Sequence, residues 1–159
     1  MSAAGGGIPL TVLGVRVELP EQRHVVLLLD PSGRTVVPVW VGAAEATAVA
    51  LALEGVVPPR PLTHDLALSA LRAAGEDLVA VRLTGVVDDV VHAALVLRGG
   101  AEVDARASDA VALALRAEAP VLASEAVLAE AGMPAADEDD RAVDDFRRFL
   151  DTVDPEDFA

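Results

Sequence analysis

Two short polar segments hold the residue types that could do chemistry in an otherwise apolar chain. One runs from Pro59 to Leu66 and the other from Asp104 to Ala110, and each contains an arginine, a hydroxyl and one or more carboxylates. Such groups can bind an anion, move a proton or hold a divalent metal ion. Both segments stand where the sequence predicts the entry to a helix, at which unpaired backbone N–H groups can hold an anion or a capping side chain. We therefore expect any chemistry of this chain to be located there.

Hydrophobic periodicity, turn residues and helix caps predict the elements that must position these segments. Hairpins alternate with helices, which favours an α+β fold over a doubly wound parallel sheet. We expect a mixed, mainly antiparallel sheet with about four helices packed on it, plus an acidic C-terminal helix. The predicted strands are 10–19, 24–30, 34–41, 78–87, 90–97 and 101–105, with a short extended piece at 120–123, and the predicted helices are 43–54, 63–74, 108–118 and 124–131.

The composition excludes several classes of site. The 159 residues include no cysteine and no lysine, which removes disulfides, thiolate nucleophiles, a P-loop lysine and a Schiff-base lysine. Aromatic residues are only 3% of the chain, so Trp40 stands out, and we expect it to pack in the core or at a subunit contact. The sequence has neither a long apolar span nor the pattern of a secretory signal, which predicts a soluble, cytoplasmic protein without a membrane partner.

The net charge of −14 is divided between the body of the chain and its C-terminal end. Residues 135–159 hold ten acids and three arginines, so half of the excess negative charge lies there. A body that is itself acidic repels nucleic acid at long range, and any such contact must be local and based on arginine or metal.

Three ordered blocks resemble the bifunctional nuclease domain family of bacteria and plants. The blocks are VPVWVG at 37–42 followed by Glu45-Ala46, PRPLTHDL at 59–66, and DARASDAVALALR at 104–116. The resemblance extends from about Leu10 to Met133, and 145–158 is similar to the C-terminal extension of many bacterial members. It implies cleavage of both DNA and RNA, an activity attributed chiefly to plant members. Where the family usually has proline in the third block, this chain has Ala107, which removes no functional group.

Phosphodiester cleavage needs an activated water and groups that stabilise charge on the phosphate. The two polar segments contain the residue types for this work, and they must meet around a solvent-reachable cavity to do it. The spacing fixes no metal site, although carboxylates here could hold Mg²⁺ or Mn²⁺. The candidate catalytic residues are His64, Asp65 and Asp109, the candidate substrate-binding residues are Arg60, Arg106, Thr63 and Ser108, and the candidate metal ligands are Asp65, Asp104 and Asp109.

The same residues also have a structural interpretation. Thr63 and Ser108 are predicted N-caps, with an aspartate in the first turn of each helix where the dipole favours it. Arg60 and Arg106 could be ion-paired to nearby carboxylates as structural pins. The alternative to a nuclease is therefore a non-catalytic, oligomeric interaction or regulatory module, whose Arg–Asp blocks act as structural locks.

The sequence divides into three parts. Residues 1–9 are small and predicted to be disordered, 10–133 form the bifunctional-nuclease-like domain, and 134–159 form an acidic helical extension. The extension combines its acids with three phenylalanines, which predicts docking on the body or on a protein partner. We also expect a homo-oligomer, and nucleic acid as a partner if the protein is an enzyme.

Overall fold

The structure, a computed structural model, describes residues 6–136, and within this range the chain forms eight strands and four helices. In chain order these are β1 (Ile8–Glu18), β2 (Arg23–Leu29), β3 (Thr35–Val41), α1 (Ala43–Leu53), α2 (Thr63–Ala73), β4 (Leu78–Val87), β5 (Val90–Leu97), β6 (Glu102–Arg106), α3 (Ala107–Ala117), β7 (Val121–Ala123), α4 (Glu125–Ala131) and β8 (Met133–Pro134). The acidic helix predicted within 134–159 and the first residues of the predicted N-terminal segment lie outside the described residues. None of the four helices is long and apolar enough to cross a membrane.

All eight strands belong to one sheet, in the order β6-β5-β4-β7-β1-β2-β3-β8. Neighbours are antiparallel except β4 and β7, which run parallel, so the predicted mixed, mainly antiparallel α+β fold is confirmed. Both predicted hairpins form, β2 with β3 and β4 with β5. The second turns at Asp88 and Asp89, whose φ angles of 50° and 62° give a two-residue turn the twist that matches its strands.

The sheet curves around α3. This helix contacts β5 and β6 near one end of the sheet and β3 near the other. In a flat sheet β5 and β3 would lie about 24 Å apart, since five strand intervals of about 4.8 Å separate them. A helix is only about 10–12 Å across with its side chains, so it can touch both strands only if the sheet bends toward it. The curvature brings the end of β3 close to the start of α3.

The core lies between the concave face of the sheet and the helices. Ala110, Val111 and Ala112 of α3 are completely buried, and both α1 and α2 pack on this helix. Alanine at 110 and 112 allows the neighbouring helices to approach closely. Three helices therefore meet near the start of α3, where the second polar segment lies.

Two of the predicted helix caps are wrong. The N-cap of α2 is Leu62 rather than Thr63, and the N-cap of α3 is Arg106 rather than Ser108, which is buried within the first turn. Of the two alternatives for Trp40, packing in the core is wrong, because Trp40 lies on the face of β3 that alternates with the buried Val39. A subunit contact at Trp40 stays a prediction. The predicted cap at Ser124 is confirmed, since its hydroxyl accepts a hydrogen bond from the Val127 amide.

Candidate active site

Four side chains from three helix entries meet in what we call the Arg106 cluster: Glu45, His64, Arg106 and Asp109. Arg106 Nε donates to Asp109 Oδ2 at 2.7 Å, and its Nη2 donates to Glu45 Oε1 at 3.0 Å. The other oxygen of Asp109, Oδ1, lies 3.0 Å from His64 Nε2. Asp109 is therefore the centre of the cluster, with an arginine on one oxygen and a histidine on the other.

Each member of the cluster lies at or near the first turn of its helix. Arg106 precedes α3 and Asp109 follows three residues later, so the two side chains share one face of the first turn. His64 is the second residue of α2, and Glu45 lies in the first turn of α1. Carboxylates are favoured at these positions by the helix dipole. Packing of α1 and α2 on α3 then brings the three helix entries together.

A cavity of about 270 Å³ opens beside the Arg106 cluster, and all four members line it together with Thr63. We call it the His64 cavity. The side chain of Arg106 is 67% exposed, whereas that of His64 is 14% exposed. Solvent therefore reaches the cluster at Arg106, whereas the side chain of His64 is mostly buried.

The cluster shifts the pKa values of its charged groups. Burial acts to raise the pKa of Asp109, but hydrogen bonds from Arg106 and His64, together with their charges, outweigh burial and lower it. The pKa of Glu45 is also lowered, first by a hydrogen bond from its own backbone N–H and then by Arg106. The pKa of Arg106 is raised by its hydrogen bonds to Asp109 and Glu45. All three groups are therefore held in their charged forms at neutral pH.

The contact with Asp109 assigns the tautomer of His64. An ionised carboxylate only accepts hydrogen bonds, so Nε2 must carry the hydrogen. In the neutral ring Nδ1 is then an acceptor, and it has no hydrogen-bond partner among residues 6–136. His64 therefore has the arrangement of a general base whose other nitrogen is oriented by a carboxylate.

The guanidinium of Arg106 has N–H donors beyond those used within the cluster. Its guanidinium has five N–H groups, and the contacts with Asp109 and Glu45 occupy two of them. The three others have no partner among the described residues. Because the side chain is largely exposed, these donors are available to a phosphate.

Asp65 does not join the cluster. Its Oδ1 accepts from Arg116 Nε at 3.0 Å and its Oδ2 accepts from the Leu62 amide at 2.9 Å. Arg116 also donates to the carbonyl of Ala112, one turn back along α3. Both carboxylate oxygens of Asp65 thus accept a hydrogen bond, one from the start of α2 and one from α3. We call the contact between Asp65 and Arg116 the Asp65–Arg116 pair.

Three other candidate residues lie apart from the cluster. Asp104 is exposed on β6 and alternates with Ala105, which packs against the core, so it projects to the opposite face of the sheet. Arg60 is exposed, without a hydrogen bond or ion pair to any residue in 6–136. Ser108 is buried and lines a second cavity, which Arg106 also lines.

The candidate metal ligands do not form a metal site. Across residues 6–136 no group of three or more histidine or carboxylate side chains is arranged to hold a metal ion. Asp65 and Asp109 are each paired with a guanidinium, and Asp104 lies on the other face of the sheet. The carboxylates present therefore do not fit a bound Mg²⁺ or Mn²⁺ in this arrangement.

The comparison with protein families settles which family this fold and cluster belong to. A model described as the bifunctional nuclease domain matches residues 26–136, which include the entire Arg106 cluster. The chain belongs to the bifunctional nuclease domain family. It is also 42% identical over 156 residues to two uncharacterized proteins of Mycobacterium tuberculosis, MT1877 from strain CDC 1551 and Rv1829 from strain H37Rv. The alignment covers 92% of this chain and 95% of each relative.

Ala107, where the family usually has proline, lies at a position in the fold that tolerates either residue. Ala107 is the first residue of α3, where proline is well tolerated because its missing N–H would be unpaired in any case. Arg106 and Asp109 on either side keep their contacts. The bifunctional nuclease domain of this chain therefore carries the change without loss of the cluster.

Sequence reasoning assigned no site role to Glu45 or Arg116. Glu45 is an acidic residue in a first helical turn, which the dipole alone explains. Arg116 stands within the third block, where an arginine near a helix end is equally ordinary. Neither position carries a signal in the sequence, because each contact joins residues more than fifty positions apart.

Proposed function

We propose that this chain is a nuclease that hydrolyses phosphodiester bonds in DNA and RNA. The observation that carries the proposal is the convergence of His64, Asp109 and Arg106 on one solvent-accessible cavity. Membership of the bifunctional nuclease domain family supports it. The cavity has an acceptor nitrogen, a carboxylate that orients it and a cation, which are the groups that this reaction needs.

In the proposed mechanism His64 is the general base. Nδ1 takes the proton from a water, which attacks the phosphorus while the bond to the leaving oxygen breaks. Asp109 holds the ring through Nε2 and stabilises the imidazolium that forms. The leaving oxygen then receives a proton from the imidazolium or from solvent. Asp109 acts here as a positioning residue.

Arg106 binds the phosphate in this mechanism. Negative charge on the phosphate oxygens increases as the reaction proceeds, and fixed donors stabilise it. Asp109 and Glu45 hold the guanidinium in place while its remaining N–H groups face the substrate. The hydroxyl of Thr63 lines the same cavity and can donate to a second phosphate oxygen.

The test is cleavage of labelled single-stranded RNA and DNA by the purified full-length chain, with EDTA, Mg²⁺ or Mn²⁺. We expect His64→Ala to lower the rate at least about a hundredfold, because it removes the general base. His24→Ala is the matched control, since His24 makes no hydrogen bond or ion pair with the cluster within 6–136 and should leave the rate unchanged. Equal cleavage by wild type and His64→Ala would contradict the proposal, and so would absence of cleavage under all three metal conditions.

A second candidate is the non-catalytic interaction module. One observation favours it: Arg106 is already neutralised by two carboxylates in a chain of net charge −14. In that case the cluster is a structural lock, and His64→Ala should lower the melting temperature without any effect on nucleic acid. A homo-oligomer, a protein partner for the acidic extension and a cytoplasmic location belong to either candidate and stay predictions.

A further inference from the structure

A second cavity of about 210 Å³ shares Arg106 with the His64 cavity and is not lined by His64. Its lining includes Trp40, Gly42, Asp89, Arg106 and Ser108, and we call it the Trp40 cavity. Arg106 lines both cavities. A polymeric ligand whose phosphate contacts Arg106 could therefore reach both cavities.

The curvature of the sheet creates the Trp40 cavity. Trp40 and Gly42 lie at the end of β3, Asp89 lies in the turn between β4 and β5, and Arg106 begins α3. These elements come from opposite ends of the strand order and meet only because the sheet bends around α3. The cavity is the gap between them.

Trp40 has the surroundings of a stacking platform rather than of a core residue. It is 43% exposed, and the guanidinium of Arg23 lies over its ring, 4.1 Å from the centroid. Arg23 occupies one face of the indole, and the exposed remainder of the ring beside this cation suits a flat ligand that carries negative charge nearby. A nucleotide is such a ligand, since its base is flat and its phosphate is anionic.

We propose that Trp40 stacks with a base of a single-stranded nucleic acid whose neighbouring phosphate is held by Arg106. The choice of nucleic acid as the ligand rests on the proposed nuclease function. Bases in a duplex are already stacked and paired, so a platform of this kind favours single strands. Asp89 is the acidic residue of the lining, and its charge weakens the attraction for phosphate.

Trp40 is the only tryptophan of the chain, so its fluorescence reports on this cavity directly. The probe is a phosphorothioate-linked oligonucleotide, which resists hydrolysis, added to the wild-type full-length chain in about 0.15 M salt to screen long-range repulsion. We expect single-stranded DNA to quench the fluorescence. A duplex of the same length and a base-free phosphodiester oligomer of the same charge should not quench it.

Variants at two positions sharpen the test, with binding measured by the anisotropy of a labelled oligonucleotide. Trp40→Leu should weaken single-strand binding about tenfold or more, and Trp40→Phe should recover much of the affinity because it keeps an aromatic ring. Asp89→Asn should tighten binding, since it removes a negative charge from the lining. The melting temperatures of the three variants establish that each is folded.

The inference is overturned if the base-free oligomer quenches as strongly as DNA, or if folded Trp40→Leu and Trp40→Phe both bind like wild type. A fluorescence change that depends on protein concentration alone would also overturn it, because a second copy of the chain would then cover Trp40. Cleavage is measured separately. His64-dependent cleavage without quenching leaves the nuclease proposal standing without the Trp40 platform. Quenching without cleavage supports single-strand binding and removes the nuclease.

Discussion

Two aspartate–arginine pairs lie along α3, and they have the same chemistry but different surroundings. Arg106 Nε lies 2.7 Å from Asp109, and Arg116 Nε lies 3.0 Å from Asp65. The side chain of Arg116 is only 10% exposed, whereas that of Arg106 is 67% exposed. Arg116 also bonds a backbone carbonyl, and Asp65 also accepts a backbone amide. Arg106 instead shares Asp109 with His64 and lines two cavities.

The difference shows that residue type and distance do not assign a role to an ion pair. A pair enclosed between two helices with its hydrogen bonds satisfied stabilises the fold once it is made, and it is costly to break. A pair with exposed donors contributes less to stability and remains able to bind a ligand. We therefore interpret the Asp65–Arg116 pair as structural and the Arg106 cluster as functional.

The largest expected effect is loss of stability in Arg116→Met. Removing the guanidinium leaves Asp65 without its charged partner between α2 and α3, which should lower the free energy of unfolding by about 2–3 kcal/mol. Urea denaturation measures it. Arg72→Met is the control, because Arg72 is well exposed and lies 3.7 Å from Asp77. If both variants unfold at the same urea concentration as wild type, the Asp65–Arg116 pair is not a structural lock.

In contrast to Arg116→Met, Arg106→Met should lower the cleavage rate with little loss of stability. It removes the donors that face the phosphate, so the rate of cleavage should fall by about tenfold to a hundredfold. Its unfolding transition should move much less than that of Arg116→Met, because the side chain is exposed. Cleavage rate and urea midpoint measured on the same preparations decide this. A folded Arg106→Met that cleaves normally would place the phosphate elsewhere.

The lowered pKa of Asp109 predicts a pH effect on stability. Below the usual aspartate value of 3.8 the unfolded chain takes up a proton at this position while the folded chain resists it. The stabilisation is therefore complete above this value and is lost as the pH falls through the lower folded value. Asp109→Asn should flatten the loss of stability below about pH 4, as measured by thermal melts from pH 2.5 to 7.

Some acid dependence should remain in Asp109→Asn. The pKa of Asp30 is also lowered, first by the hydroxyl of Ser32 and then by the backbone amide of Thr35, and this site is untouched by the variant. The pKa of Glu45 stays low through its own backbone amide. Identical acid profiles for the variant and wild type would mean that Asp109 is not held by Arg106 and His64 in solution.

The smallest expected effect is that of Thr63→Ala. The N-cap of α2 is Leu62, and its amide is satisfied by Asp65, so removal of the exposed Thr63 hydroxyl should leave the melting temperature unchanged. Ser124→Ala is the matched comparison, because Ser124 does cap α4 and its loss should cost about 1 kcal/mol. A clear loss of stability in Thr63→Ala would show that the hydroxyl contributes to the start of α2.

Local patterns in the sequence were enough for most of the fold. Turn residues with Gly or Asp predicted both hairpins correctly. Apolar spacing predicted α1, which is followed by Gly55 with a φ of 67°. The predicted N-caps lie one residue late at α2 and two residues late at α3, because Thr63 and Ser108 are good capping residues in general. The carboxylate of Asp65 competes successfully for the role at α2, and Ser108 is enclosed by packing.

The sequence by itself determined the elements, the family and the two segments with reactive side chains, because each depends on residues close together in the chain. Only the tertiary structure decided that Asp109 contacts His64 while the similar Asp65 contacts Arg116. It also decided that Asp104 faces the other side of the sheet and that Trp40 and Arg106 line one cavity. These contacts depend on how α1 and α2 pack on α3 and on how far the sheet bends. Both are outcomes of burying the whole core, and no single stretch of sequence encodes them.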